Sequence, residues 1–186
     1  MGGWIFLALL AAAVLWVVVT YNALVALRNG IQNAWKQIDV QLKRRHDLVP
    51  NLIETVRGYM KYEQQTLEKV MEARNRAVTS TSVKETAAAE NALSQSLGRI
   101  LALMENYPDL KADDNALRLQ EELTTTENQI AFARQYYNDL VMRYNTKQQA
   151  FPGNMVASFF NFRPGEFFAV ADSEKVVPRV DLSLPA

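Results

Sequence analysis

Cysteine is missing from this chain, and histidine occurs once, at His46. Disulfides, thiolate metal sites and thiol nucleophiles are therefore excluded, and one histidine cannot build a His-rich zinc site or the paired Glu-x-x-His pattern of a di-metal bundle. The chain also lacks a phosphate-binding P-loop, a dinucleotide-binding glycine fingerprint and a G-x-S-x-G elbow. Net charge is zero, with 20 Lys and Arg against 20 Asp and Glu. A nucleic-acid partner, which needs a clustered basic face, is not expected. Neither an enzymatic activity, a metal nor a cofactor is expected from this inventory, and no internal repeat or low-complexity run appears.

What the sequence does have is a long apolar run at its N-terminal end, Trp4 to Thr20, WIFLALLAAAVLWVVVT, continuing uncharged to Leu27. As a helix rising ~1.5 Å per residue, Trp4 to Leu27 is roughly 36 Å long, enough to cross a hydrocarbon core of about 30 Å. Trp4, Leu7, Leu10, Leu15, Trp16, Val19 and Tyr21 are the expected anchor residues, with Trp4 and Tyr21 suited to the two interfaces. A cleaved signal peptide is the rival reading. Against it, the MGG start carries no Lys or Arg, the run exceeds the roughly 7–15 residues of an h-region, and no clear cleavage site follows. A lipid anchor fits worse, because there is no Cys to acylate and Phe6 stands where myristoylation favours Ser or Thr.

The first basic side chain is Arg28, and Arg28, Lys36, Lys43, Arg44 and Arg45 face the single acid Asp39 over that stretch. Positive charge stays inside, so the N-terminus is expected on the outer face and the rest in the cytoplasm.

Beyond the anchor, Leu24, Leu27, Ile31, Trp35, Ile38 and Leu42 recur at steps of three and four, the seam of a helix. The membrane helix is expected to run on into this one, with Gly30 as its hinge, and to end near His46–Pro50. A second helix would start at Pro50 and bury Leu52, Ile53, Val56, Met60, Leu67, Val70, Met71, Ala73 and Ala77. Ser82 and Glu85 form a capping box for a third, with Ala87, Leu93, Leu97, Ile100, Leu101 and Met104 inward. A fourth helix, about Ala116 to Gln149 and capped by Asp114 or Asn115, carries Leu119, Leu123, Ile130, Ala133, Tyr137, Leu140, Val141 and Tyr144. Pro152 and Gly153 stop it. The only strand signals are Phe167 to Val170 and the short tail.

The expected fold is all-α: an N-terminal transmembrane helix continuing into an antiparallel up-down four-helix bundle. The segments are 1–27, outer stub and anchor; 28–150, bundle; and 151–186, an aromatic segment with a partly ordered tail. By parity of up-down helices, the segment from Phe151 to Phe168 returns to the bilayer surface.

That segment is rich in large apolar residues. Phe151, Met155, Phe159, Phe160, Phe162, Phe167 and Phe168, with Arg28 as the cation nearest the lipid phosphates, are the candidate membrane-interface or oligomer contacts. Closing the end of the core is the other use for those rings. Asn33, Gln37 and Gln41, spaced by four, form a row able to hydrogen-bond a neighbouring helix of the same or another chain. Lys43–Arg45 sit too far along a straight helix to reach lipid, and suit the far end of the bundle or an acidic partner. Glu121–Glu122, Glu127–Gln129 and Asp113–Asp114 read as a solvated face and a helix cap, and His46 as a surface or turn histidine.

The stretch Tyr21–Tyr59, YNALVALRNGIQNAWKQIDVQLKRRHDLVPNLIETVRGY, followed by YPDLKADDNALRLQEELTTTENQIAFARQYYNDLVMRYN and FPGNMVASFFNF, resembles the bacterial LemA family over nearly the whole chain. The resemblance implies a membrane-anchored helical bundle and no agreed biochemical activity. With it, the reading is a non-enzymatic scaffold that self-associates, with the lipid bilayer and further copies as partners. An adaptor or regulator of a membrane metalloprotease is the alternative.

Overall fold

The computed structural model describes residues 1–168 and is all-helical over them: α1 Gly2–Arg57, α2 Gln64–Thr79, α3 Val83–Met104, α4 Pro108–Lys111, α5 Asp114–Gln149 and α6 Gly153–Phe159. The described chain divides into two units, one from Met1–Leu48 and Glu121–Phe167, the other from Val49–Gln120 and Phe168. Phe167 and Phe168 form no strand, and Ala169 to the end of the tail, where the remaining strand signals fall, lies outside the described residues.

In the first unit α1 and α5 run antiparallel. Leu24 meets Tyr144, a Cβ on Gly30 would touch Leu140, the tilted rings of Trp35 and Tyr137 lie 5.6 Å apart, and Arg45 pairs with Glu127. Rising numbers on α1 thus meet falling numbers on α5. The expected seam is present, with Leu24, Ile38 and Leu42 buried and Leu27, Ile31 and Trp35 half-buried. At Gly30 α1 runs on unbroken, and a Cβ there would meet Leu140 at 3.6 Å.

Pro50 does not end α1, which runs on to Arg57. An interior proline costs ~3 kcal/mol, but Val49, Leu52, Ile53 and Val56 around it are all buried, and each such side chain gains roughly 1.5–3 kcal/mol. Burial exceeds the local penalty. The break comes instead at Gly58–Glu63, where Tyr59 and Met60 donate to the Val56 carbonyl (3.0 and 2.9 Å) and Met60 is fully buried.

Within the second unit α2 packs on α3, and the capping box stands as expected. Glu85 N–H donates to Ser82 Oγ (3.2 Å), and Ser82 N–H donates to Glu85 Oε2 (3.3 Å). The cap of α5 lies one residue earlier than expected. Asp113 Oδ1 accepts from the Asn115 and Ala116 amides (2.8 and 3.0 Å), and Tyr59 Oη donates to Oδ2 (3.0 Å). An aspartate one residue before the first helical position meets those amides by geometry; Asp114 is already helical.

Lys43–Arg44–Arg45 is not one patch. Lys43 pairs with Asp47 at 2.9 Å and Arg44 lies 3.6 Å from Glu122, both exposed, whereas Arg45 is 1% exposed and ion-paired with Glu127. The Glu121–Gln129 face is thus not solvated throughout, and Arg45 is not offered to an acidic partner.

The backbone amide of Ala116 and the hydroxyl of Tyr59 hold the Asp113 carboxyl below its usual range, and the amide and hydroxyl of Ser82 do the same for Glu85. Folded values lie below unfolded ones, so this stabilisation is complete above the ordinary carboxylate range and disappears as pH falls through the folded values. Thermal midpoints should therefore drop on acidification below about pH 4, and Asp113→Ala, read by circular dichroism, should lower the neutral midpoint and flatten that drop. Glu127→Ala should destabilise by about 1–3 kcal/mol in denaturant melts, because it withdraws a charged partner from a buried guanidinium.

Candidate membrane-proximal site

Among the described residues one helix, α1, is long and apolar enough to cross a membrane, and its most apolar window is entirely uncovered by the rest of the chain. Trp4, Leu7, Leu10, Leu15, Trp16, Val19 and Tyr21 are all exposed. Cover begins one helical face at a time: Val17 is half-buried, then Thr20 and Leu24 are buried.

The cover is α6 and the hairpin after it. Val156 and Ala157 are buried, and Ala157 joins Leu24 and Tyr144 in a small core flanked by Leu27, Ile31 and Phe162. Gly153 sits so close to the end of α5 that a Cβ there would stand 2.7 Å from the Lys147 carbonyl oxygen and 3.9 Å from Thr20 Cγ2. Only a residue without a side chain fits. Asn161 then turns the chain at φ 54°, a left-handed conformation that Asn tolerates better than most residues.

Aromatic contacts fix this hairpin to α1. The rings of Phe160 and Phe162 lie 4.7 and 5.6 Å from that of Tyr21, Phe159 stands edge-on to Phe160 at 5.0 Å, and the Arg28 guanidinium lies 5.6 Å above Phe162. The last of these is cation–π geometry.

The segment that returns after this turn is held by side chains of α5 that read its main chain. Asn145 Nδ2 donates to the Gly165 carbonyl (3.0 Å) while Gly165 N–H donates to Asn145 Oδ1 (2.8 Å). Gln148 Nε2 donates to the Arg163 carbonyl (3.3 Å) and Tyr137 Oη to the Glu166 carbonyl (2.9 Å). Burial, with Glu166 nearby, raises the Tyr137 phenol above its usual value, so it stays protonated and able to donate at neutral pH. Sequence reasoning placed Tyr137 and Tyr144 in the core but missed Asn145 and Gln148 as a clamp. Their only signal was two amide side chains three apart facing the same way late in α5.

The candidate residues divide accordingly. Phe160, Phe162 and Arg28 come together at Tyr21; Phe151, Met155 and Phe159 point away from the protein; Phe167 is exposed; and Phe168 is buried. Farther along α1, Lys36, Gln37, Val40, Gln41, Gln129, Phe132, Ala133 and Tyr136 line an open groove of about 640 Å³ between α1 and α5. Val40, Phe132 and Tyr136 are exposed there, and the Gln41 Oε1 atom is buried without a hydrogen-bond donor. Asn33 is exposed one turn away. His46 is half-buried, and no group of three His, Cys, Asp or Glu residues among the described ones is arranged to hold a metal.

Asn145→Ala removes both bonds to Gly165 and strands that peptide; the expected cost is about 1–3 kcal/mol. Gly153→Ala should loosen α6 from α5. Hydrogen exchange should report faster exchange of the Phe160–Gly165 amides in both variants, with α2 and α3 unchanged.

Comparison with known proteins places this geometry in context. Over 157 residues the chain is 28% identical to Protein LemA of Metamycoplasma hominis, covering 83% of this chain and 71% of that one. It is 23% identical over 174 residues to Magnetosome protein MamQ 2 of Paramagnetospirillum magneticum, covering 80% of this chain and 64% of that protein. With Magnetosome protein MamQ of Magnetospirillum gryphiswaldense it shares 20% identity over 200 residues, 92% of this chain and 74% of the relative. The profile of the LemA family matches residues 34–182, a span that takes in the clamp, α6 and most of both units. By that match the chain belongs to the LemA family.

Proposed function

We propose that this protein is a non-enzymatic scaffold of the bacterial inner membrane, which self-associates and organises or shapes membrane or recruits partners there. The observation that carries this reading is the continuity of α1. One helix, Gly2–Arg57, joins an uncovered apolar stretch of bilayer length to buried core positions such as Ile38 and Leu42 without a linker. A tethered catalyst tolerates a flexible connection, whereas a stiff one transmits position and angle from the lipid to the domain. The relatives named for the magnetosome, and a family without a stated reaction, are in keeping with a structural role.

The orientation follows from Arg28, Lys36, Lys43, Arg44 and Arg45 after the span: N-terminus outside, helical domain in the cytoplasm. Because the chain has no cysteine, a single Cys introduced at Asn115 gives a clean topology probe. It should react with an impermeant maleimide only after cells are opened.

Self-association would use the groove of Val40, Phe132 and Tyr136 with its glutamine edge. Purified in mild detergent, the wild-type protein should run as a defined homo-oligomer in light scattering, and Phe132→Asp with Tyr136→Asp should reduce it to a smaller species without loss of helical signal. A wild-type monomer that co-purifies with a membrane metalloprotease would instead favour the adaptor role.

A further inference from the structure

The helix α6 has two faces, and only one is used by the protein. Gly153, Val156 and Ala157 are buried against α1 and α5, whereas Phe151, Met155 and Phe159, each four residues from the next, are 81%, 64% and 80% exposed. Met155 and Phe159 share the outward side of the helix at that spacing as a short stripe, and Phe151 stands exposed just before its first residue. Asn154 and Ser158 are also exposed and give the stripe a polar edge. A short helix apolar on both sides is poorly suited to water, and the outward stripe continues into exposed Phe160.

The position of α6 along α1 identifies what covers that stripe. Its inner face rests on Thr20 and Leu24, and Phe160 rests on Tyr21. From the interfacial ring of Trp4 to Thr20 the helix advances roughly 24 Å at ~1.5 Å per residue, short of the hydrocarbon thickness of about 30 Å. A span that starts at Trp4 therefore still lies within the bilayer at Thr20, and α6 is carried to the same depth. The exposed faces of α1 and α6 are contiguous there, so the surface that meets lipid on one also meets it on the other. Arg28 is two turns farther along α1 than Thr20, over Phe162, at the height expected of phosphates, and the long side chain of exposed Arg163 follows the α6 turn.

We propose that α6 and the Phe159–Phe160 turn form a wedge inserted into the domain-side leaflet, with Phe151, Met155 and Phe159 among the acyl chains and Arg28 and Arg163 at the phosphates. The inserted material occupies one leaflet only, beside a helix that occupies both. This rests on the reading that α1 spans the bilayer, and adds a second, asymmetric lipid contact to it. The occupant is lipid rather than a second copy, because the stripe is continuous with the lipid-facing side of α1.

The test uses the full chain reconstituted into vesicles of phosphatidylethanolamine and phosphatidylglycerol. Single-cysteine variants Met155→Cys, Phe159→Cys, Leu10→Cys and Tyr62→Cys carry a nitroxide, and its collisions with oxygen and with a water-soluble nickel chelate are compared. These side chains are exposed, so the labels leave the core intact. The expected result is an oxygen-to-nickel ratio at residues 155 and 159 shifted to the lipid side, between that at residue 10 and the aqueous value at residue 62. Water-like values at 155 and 159 with a lipid-like value at residue 10 overturn the wedge and leave the span standing. Dipolar broadening between labels at 155 or 159 overturns it in favour of contact between copies. A water-like value at residue 10 overturns the span and the wedge together.

Discussion

Everything described here depends on one helix passing from an uncovered apolar stretch into a packed interior without changing its conformation. On α1 the residues before Val17 are all exposed, and those from Leu24 onward contribute a seam to a packed interior. In hydrocarbon every backbone polar group has to be satisfied within the segment, and a helix alone does this for a single span. The same hydrogen-bond ladder then serves the core, so no loop is needed where the two surroundings meet. The handover is gradual because burial starts on one side of the helix, at Val17 and Thr20, before the others.

Small and polar side chains make the handover possible. Gly153 lets α6 approach the last turn of α5, Asn161 reverses the chain, and Asn145, Gln148 and Tyr137 bind the main chain that returns. None of these contacts is strong alone, at roughly 0.5–1.5 kcal/mol for an ordinary hydrogen bond. Together they engage three carbonyls and one amide of 163–166, so the rings of Phe159 and Phe160 are free to face outward instead of serving as the segment's own core.

Much of this was legible from residue spacing. The apolar seams of α1, α3 and α5, the Ser82–Glu85 box and the stop at Pro152–Gly153 all follow from local rules that tertiary packing reinforced. Legibility failed where two local rules competed with burial. Pro50 is a strong breaker in isolation, yet four buried aliphatic neighbours carry the helix past it; Gly58, a weaker signal, coincides with the actual break because Met60 has a buried place in the turn. Arg45 looked like one of three similar cations, and only a partner 82 positions away in sequence distinguishes it. The clamp was invisible for the same reason, since Asn145 and Gln148 act on a segment that follows after α5 ends and is reached only by folding back.

The manner in which Asn145 holds Gly165 has an evolutionary corollary. Both bonds engage main-chain atoms, and a methyl at residue 165 would meet Val141, Ile31 and Tyr144 at 3.4 to 3.6 Å, ordinary contact distances. The identities of neighbouring side chains on the returning segment are therefore under little pressure from the grip itself, while the number of residues between Gly153 and Gly165 is fixed by it. Descendants of this sequence are free to re-tune charge and bulk beside α6 by substitution, but an insertion or deletion there would slip the returning segment out of its holder.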